Sequence, residues 1–275
     1  MSRLGGVFRD LQEQNRKGLI PYVVAGDPSP EGTVALLHSL VEAGADVLEV
    51  GVPFSDPMSE GPVIQQGHER ALANGMSLQR VLEMVTAFRR DNDATPIVMM
   101  GYANPIERFG YDAFAKACAE AGVDGLITVD LPPEEVDAID GALQSVGLDN
   151  IFLISPTTPE ARMQTIVERA RGFIYYVAVK GVTGSGQLDT DEVARSVSLI
   201  REKTALPIAV GFGIKDAASA SAVAASADAV VVGSALIAEM EQKARSAEGL
   251  AEIQIHGAAV KLLQSIRAGV DSSPS

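Results

Sequence analysis

Residues 47–62 read Val-Leu-Glu-Val-Gly-Val-Pro-Phe-Ser-Asp-Pro-Met-Ser-Glu-Gly-Pro, an apolar segment typical of a β-strand that runs directly into a loop rich in glycine and proline. Two acids stand out in this stretch. Glu49 interrupts the apolar segment, and Glu60 lies in the loop, where prolines restrict the backbone. A carboxylate in a buried strand is costly unless it has a partner or a chemical role. These two acids are therefore the first candidates for a functional site.

The same strand-to-helix pattern is found eight times along the chain. Each predicted strand is a short, nearly continuous apolar run, as in parallel sheets that helices cover on both faces. The predicted strands are 19–25, 47–51, 96–101, 125–129, 151–154, 173–179, 207–211 and 228–232. The helices predicted after them are 30–43, 77–92, 110–121, 134–146, 159–170, 190–203, 216–226 and 234–245.

Eight such units in 275 residues predict an α/β fold, a single (β/α)8 TIM barrel. An extra N-terminal helix is predicted at 2–17, and a long C-terminal helix at 247–268 precedes a frayed tail at 269–275. An open doubly wound sheet is the alternative, but the G-x-G-x-x-G signature is absent after the first strand. No linker divides the chain, so we expect one domain over residues 1–275.

The composition narrows the class of function. With 47% hydrophobic and 21% charged residues the chain is globular, and no apolar run approaches the roughly 20 residues that cross a bilayer. The N-terminus lacks the apolar region of a secretory signal, so we expect a cytoplasmic, soluble protein. A net charge of −14 argues against nucleic acid and anionic membranes as partners. An anionic substrate would therefore be held by local backbone dipoles.

No metal site is predicted. The single cysteine, Cys118, lies in a helical pattern and is interpreted as structural. His38 and His256 fall on predicted helices and are interpreted as surface or packing residues, and His68 falls in the long loop near Glu60. No second histidine or cysteine stands at metal-ligand spacing from any of them.

A phosphate site is predicted where the last two strands end. The chain reads Gly-Phe-Gly-Ile at 211–214 and Gly-Ser-Ala-Leu at 233–236, where a helix begins. Loops after strands seven and eight, with a helix N-terminus, form the common phosphate site of TIM barrels. The alternative is that the glycines only permit tight turns and that Ser234 is an ordinary N-cap.

Side chains alternate between the two faces of a strand, and this alternation indicates where Glu49 lies. Val47, Glu49 and Gly51 share one face of strand two, and the mouth of the barrel is the favoured position for Glu49. Burial there would raise its pKa and let it act as a general acid or base near neutral pH. A structural, hydrogen-bonded glutamate is the alternative. Tyr175 of strand six could reach the same mouth, and an ordinary core tyrosine is an equally good interpretation.

Two βα loops are long, 52–76 and 180–189. The second contains three glycines and is predicted to move as a lid over the site.

Residues 47–65 closely resemble the signature of the tryptophan synthase alpha subunit family. Collinear support comes from Tyr-Val-Val-Ala-Gly-Asp-Pro at 22–28, Gly-Tyr-Ala-Asn-Pro at 101–105, Gly-Val-Thr-Gly at 181–184 and the two phosphate-loop segments. These matches span almost the whole chain. The resemblance implies a lyase that cleaves indole-3-glycerol phosphate to indole and glyceraldehyde 3-phosphate by a retro-aldol reaction, without a cofactor of its own.

The resemblance also implies roles for individual residues. Glu49 would carry out the proton transfers, Glu60 would accept a hydrogen bond from the indole N–H, and Tyr175 would line the catalytic mouth. The implied indole pocket is Tyr22, Ile64, Met100, Tyr102, Ile127 and Val129. The implied phosphate site is Gly184, Phe212, Gly213, Gly233 and Ser234, with Thr183 in the closing loop.

The resemblance also implies an assembly. In this family the alpha subunit docks on a beta subunit that binds pyridoxal phosphate, and the two form an α2β2 heterotetramer. By analogy, the residues near that interface are Pro53, Asp56, Asn104, Asp130 and Pro132. Stand-alone cleavage of indole-3-glycerol phosphate and non-catalytic activation of a beta subunit are the competing interpretations. Other phosphate-binding barrels, such as sugar-phosphate isomerases, would fit the fold but not residues 47–65.

Two positions depart from the family pattern. Glu60 stands where the pattern has Asp, which extends the acid by one methylene, and Tyr22 stands where Phe is expected. A displacement of about 1 Å at a catalytic group can cost on the order of 10²-fold in rate. We expect the loop to compensate, because Gly61 and Pro62 are retained.

Overall fold

The computed structural model of the chain describes residues 2–178, 189–211, 213–246 and 252–273. At its centre is a closed barrel of eight parallel strands, in which each strand pairs with the next and the last pairs with the first. The TIM-barrel prediction is confirmed, and closure rules out the doubly wound alternative. The strands are β1 (Gly18–Val24), β2 (Leu48–Gly51), β3 (Ile97–Gly101), β4 (Gly125–Thr128), β5 (Asp149–Ile154), β6 (Ile174–Val177), β7 (Ile208–Gly211) and β8 (Ala229–Val232).

Helices surround the barrel, and ten of those within the described ranges correspond to predicted helices. Those ten are α1 (Arg3–Glu13), α2 (Thr33–Glu42), α4 (Leu78–Arg89), α6 (Tyr111–Ala121), α7 (Asp137–Ser145), α8 (Glu160–Arg169), α9 (Thr190–Arg201), α10 (Ala217–Ala224), α11 (Ser234–Ser246) and α12 (Glu252–Asp271). Two helices, α3 (Pro62–Ala73) and α5 (Ala103–Phe109), were not predicted.

The predicted long loop at 52–76 is therefore half helical, and the prediction of an irregular loop there is wrong. Gly61 is extended at the N-cap position, and Pro62 occupies the first turn of α3, where its fixed φ favours a helix and its missing N–H costs nothing. The helix removes freedom from the loop that carries Glu60.

The predicted frayed tail also begins too early, because α12 continues to Asp271. Val270 is only 1% exposed, and Gly269 lies directly against the backbone of Ala217 in α10. Packing of α12 on α10 therefore keeps the last turn helical.

Two apolar cores lie inside and outside the sheet. The outer core fills the space between sheet and helices, and the inner core fills the barrel. Leu4, Phe8 and Leu11 of α1 belong to the inner core, and the rings of Phe8 and Phe173 are 5.6 Å apart. Because α1 closes the N-terminal end of the barrel in this way, the C-terminal end is left for a site, as is usual in this fold.

Within the described ranges, no helix is both long enough and apolar enough to cross a membrane.

The contact of Gly269 with α10 generates a stability prediction with a control in the same helix. A Cβ at position 269 would lie 2.2 Å from the carbonyl oxygen of Ala217, whereas a Cβ at Gly257 would meet nothing within 4 Å. We expect Gly269→Ala to lower the free energy of unfolding by about 1–3 kcal/mol through overpacking. Gly257→Ala should raise it by up to about 1 kcal/mol, since alanine favours a helix. Urea denaturation measures both, and equal effects would contradict the packing of α12 on α10.

Candidate active site

The acid at the centre of the site is Glu49, on the inner face of β2. Its Cα is in register with that of Tyr22 on β1, so both side chains enter the barrel from neighbouring strands. The residue is 1% exposed. Both of its carboxylate oxygens are buried without a hydrogen-bond partner among the described residues. A buried carboxyl without such a partner can form a hydrogen bond to a ligand or exchange a proton with it.

The second acid, Glu60, is held over the same mouth by its own segment. Its backbone N–H donates to the Pro57 carbonyl at 3.0 Å, and its carbonyl accepts from Gln65 Nε2 at 3.0 Å. The neighbouring Ser59 N–H donates to the Tyr102 hydroxyl at 3.2 Å. One side-chain oxygen, Oε1, is buried without a partner in the described residues. The longer acid therefore points inward, toward the barrel.

Burial sets the electrostatics of the acid pair. Desolvation raises the pKa of Glu49 to about 8, and the nearby charge of Glu60 contributes to the increase. Desolvation also raises the pKa of Glu60 to about 7. Because one acid affects the other, the two carboxyls titrate as a pair near neutral pH. A pair of this kind can hold one proton and one negative charge at the same time.

Tyrosine hydroxyls surround the acids, and strand glycines make space for them. A Cβ on Gly51 would lie 2.3 Å from the Tyr22 hydroxyl, and a Cβ on Gly211 would lie 2.4 Å from that of Tyr175. Burial, together with the two glutamates, raises the pKa of Tyr22 and of Tyr175 well above its ordinary value. Both phenols therefore stay protonated and can donate hydrogen bonds. Glycine at the two strand ends is what allows polar groups at this depth.

The residues assigned to the indole pocket differ in burial and in the core that they contact. Tyr22 and Ile127 are buried, and Met100 and Val129 pack against the inner core. The ring of Tyr102 stacks on Phe54 at 5.0 Å, which ties the β2 loop to the end of β3. Ile64 lies on α3 and is half-buried.

The predicted phosphate loops are described only in part. Gly213 has a φ of 79°, which glycine adopts readily, and the Gly233 carbonyl accepts from the N–H of Leu236 at 2.9 Å. Ser234 is the first residue of α11 and is exposed, so it stands inside the first turn rather than at the cap. Phe212, Gly184 and Thr183 lie outside the described residues, as does most of the predicted lid at 180–189.

Comparison with known proteins gives the family. The model of the tryptophan synthase alpha chain family matches residues 8–264. The tryptophan synthase alpha chain of Bordetella parapertussis is 58% identical over 241 residues, which cover 87% of this chain and 85% of that protein. The alpha chain of Marinobacter nauticus is 52% identical over 272 residues, 99% of each chain. The crystal structure of tryptophan synthase subunit alpha from Legionella pneumophila superposes with a TM-score of 0.90 at 46% identity, covering 98% of this chain and 99% of that one.

The chain belongs to the tryptophan synthase alpha chain family. The reaction of an alpha chain is the cleavage of indole-3-glycerol phosphate in tryptophan biosynthesis, and the chain is accordingly an enzyme subunit of the lyase class. The pyridoxal phosphate of tryptophan synthase is bound by the beta chain, which family membership implies as the partner. The predictions of family and function are confirmed.

The alpha-chain residues assigned to the partner interface differ in exposure. Asp56, Asn104 and Asp130 are exposed at the same end of the barrel, and Pro132 is half-buried. Asp130 accepts a hydrogen bond from the Ala103 N–H at 2.7 Å, which joins the segments after β3 and β4. Pro53 is buried within the chain and contributes to packing of the loop rather than to its surface.

His68 is the site residue that sequence reasoning missed. It lies on α3 rather than in a loop and is 2% exposed. The Phe54 N–H donates to His68 Nδ1 at 3.0 Å, and His68 Nε2 lies 3.3 Å from the Tyr22 hydroxyl. His68 is four positions after Ile64, a helical spacing that would have placed both on one face had α3 been recognised.

Other polar candidates fall outside the site. Cys118 is buried, and His256 is buried on α12. His38 stacks on Phe88 with ring centroids 4.6 Å apart. Over the part of the chain that the structure describes, no group of three or more His, Cys, Asp or Glu side chains could hold a metal ion.

The raised pKa of Glu49 predicts how stability depends on pH. Its ordinary value is 4.5 and its value in the folded chain is about 8. Between these values the folded chain binds more protons than the unfolded chain, so stability falls as pH rises through this window. Glu49→Gln removes the effect. At both pH values we compare the free energy of unfolding of Glu49→Gln with that of the unsubstituted chain. The advantage of the variant should be larger at about pH 8.5 than at about pH 5, by on the order of 2 kcal/mol.

Urea denaturation at the two pH values measures this difference. Glu69→Gln, a change at an exposed side chain of α3, is the matched control and should alter stability little at either pH. An advantage of Glu49→Gln over the unsubstituted chain that is equal at the two pH values would contradict the raised pKa of the buried Glu49 carboxyl.

Proposed function

We propose that Glu49 and Glu60 carry out the cleavage of indole-3-glycerol phosphate as a pair that shares one proton. The observation that supports this most directly is the burial of both carboxyls at one mouth, with raised pKa values near 8 and near 7. Between those values the favoured form has a protonated Glu49 and an ionised Glu60.

Glu49 is assigned both proton transfers. Its carboxyl donates a proton to indole C3, which leaves the ring positively charged, and the bond from C3 to the side chain breaks next, returning its electron pair to the ring. The hydroxyl on the departing carbon must then lose its proton as the aldehyde forms. The Glu49 carboxylate takes that proton, so the acid ends in its starting state and no other reagent is consumed. A raised pKa suits both roles, because the group must give and accept a proton near neutral pH.

Glu60 is assigned to the indole nitrogen. Protonation at C3 builds positive charge on the ring, and an ionised carboxylate that accepts the N–H hydrogen bond stabilises that charge. The backbone of Glu60 forms hydrogen bonds to the Pro57 carbonyl and to the Gln65 side chain. These bonds fix the segment from which the longer side chain of Glu60 extends. Tyr175 lines the mouth as a protonated donor. Gly213, Gly233 and Ser234, with Phe212 and Gly184, are assigned to the phosphate.

Single substitutions test these roles. With beta chain in excess, we expect Glu49→Gln to lower the rate of indole release by about 10²- to 10⁴-fold, the range of general acid–base catalysis. Glu60→Gln should lower it by on the order of 10²-fold, because the charge opposite the indole N–H is lost. The control Glu69→Gln removes an exposed charge nearby and should retain the rate.

Stimulation of the beta chain is measured in the same samples. The Glu49→Gln chain should still stimulate synthesis of tryptophan from added indole and serine, because its fold and docking surface are intact. Unchanged indole release in both glutamine variants would instead support a chain that only activates its partner.

We further propose an α2β2 assembly that docks through the exposed residues after β2, β3 and β4. Asp56, Asn104 and Asp130 lie in these segments, next to the loop that carries Glu60. Contact with a beta chain there would act directly on the catalytic loop. A cytoplasmic location accords with this role.

The docking surface is tested by charge reversal. Asp56→Arg should weaken binding of the beta chain by at least about tenfold, since a reversed charge at an interface is unpaired or repelled. Glu13→Arg, on α1 at the closed end of the barrel, is the control and should bind as the unsubstituted chain does. Sedimentation velocity measures both affinity and stoichiometry. A complex lighter than α2β2, or equal binding by the two variants, would overturn the proposal.

A further inference from the structure

The histidine on α3 has a defined protonation state. Burial lowers the pKa of His68 to about 4, so the imidazole is neutral near pH 7 and carries one N–H. The Phe54 backbone N–H donates to Nδ1 at 3.0 Å, which requires a lone pair on that nitrogen. The proton therefore resides on Nε2. The contact between Nε2 and the Tyr22 hydroxyl, 3.3 Å long, is then a hydrogen bond that His68 donates.

This assignment determines the direction of the Tyr22 hydroxyl. Its oxygen accepts from His68, so its own hydrogen must point elsewhere. The ring of Tyr22 is confined, because a Cβ on Gly51 would lie 2.3 Å from its oxygen and one on Gly233 would lie 3.0 Å from its Cδ1. The hydroxyl thus sits at the end of β2, on the face that also carries Glu49. Burial keeps the phenol protonated.

The groups that face this hydroxyl come from four other segments. They are Glu49 of β2, Glu60 of the segment before α3, Tyr102 after β3 and Tyr175 of β6, and the two glutamates act on Tyr22 through their charge. Neither Glu49 oxygen has a hydrogen-bond partner among the described residues, and Glu60 has one oxygen without a partner there. The Tyr22 hydroxyl, whose hydrogen points away from His68, therefore lies close enough to these carboxylate oxygens for their charges to act on it.

We propose that His68 is a positioning residue that orients Tyr22, so that the Tyr22 hydroxyl donates a hydrogen bond to the Glu49–Glu60 pair when the pair is ionised. The inference rests on the proposed function of the two acids and adds a specific donor to it. A hydrogen bond to the charged form stabilises that form. The pair can then carry its negative charge at a pH where burial alone would keep both acids protonated.

Titration of the two carboxyls tests the inference without any turnover. The chain is labelled with ¹³C-glutamate, and Glu49→Gln and Glu60→Gln assign the two carboxyl signals. In Tyr22→Phe the first ionisation of the pair should move upward by about one pH unit, a tenfold change in the acid constant. His68→Leu should cause a similar increase, because Tyr22 loses its orientation. His68→Gln, which can still donate from its amide, should restore most of the original titration.

The double variant shows whether His68 acts through Tyr22. Adding His68→Leu to Tyr22→Phe should cause no further change in the titration. His38→Gln, a histidine change on α2 outside the barrel, is the control and should leave both signals unchanged. Titration curves of Tyr22→Phe that overlay those of the unsubstituted chain would overturn the inference, and so would a further increase in the double variant.

The rate of indole release separates this inference from the proposed function. If the unsubstituted chain released no indole with beta chain in excess, the roles of the acids in catalysis would fail while the titration result still stood. If indole is released, the low-pH limb of its rate profile should move upward with the carboxyl titration in Tyr22→Phe. A limb that stays in place would overturn the inference.

Discussion

Burial of the Glu49 carboxyl, without a hydrogen-bond partner in the part of the chain that the structure describes, is the constraint on which the site depends. An isolated charge at this position would cost several kcal/mol, so the group holds its proton to an unusually high pH. The neighbouring carboxyl of Glu60 adds to this effect, because two like charges close together disfavour each other. Burying Glu49 in a barrel strand lowers stability when the carboxyl is ionised. The same burial raises its pKa, so that the acid can exchange a proton near neutral pH.

The surrounding barrel explains how such a site is built. Closure of eight parallel strands makes alternate residues face inward, and α1 fills the N-terminal end with apolar side chains. The C-terminal layer is different in character. There, glycines at the ends of β2 and β7 leave space that tyrosine hydroxyls occupy. Polar groups are thus admitted at one end of a core that is apolar elsewhere, which matches the position of active sites in this fold.

The barrel could be predicted from the sequence because each strand is a short apolar run followed by a helical pattern. Both patterns are local and do not depend on distant residues. Alternation along a strand is local, so it also favoured the barrel mouth for Glu49, whereas for Tyr175 it left the mouth and an ordinary core position equally open. Sequence reasoning missed α3 because glycine and proline around position 61 indicate a loop as readily as a helix start. Without α3, the contact between His68 and Tyr22 was not visible. That contact joins residues 46 positions apart, and no local pattern encodes it.

Tyr22 and Glu60, the two residues at which the sequence departs from the pattern that the resemblance implies, lie close enough for the charge of Glu60 to act on the Tyr22 hydroxyl. The charge of Glu60 is the largest electrostatic influence on the Tyr22 hydroxyl after burial itself. One departure adds a hydrogen-bond donor, and the other lengthens an acceptor by one methylene. The extended carboxylate and the added hydroxyl are therefore complementary in chemistry as well as in position. Next to phenylalanine at position 22, the longer side chain of Glu60 would have no hydrogen-bond donor there. Next to Tyr22, whose hydroxyl is oriented by His68, the Glu60 carboxylate has a donor directed toward it.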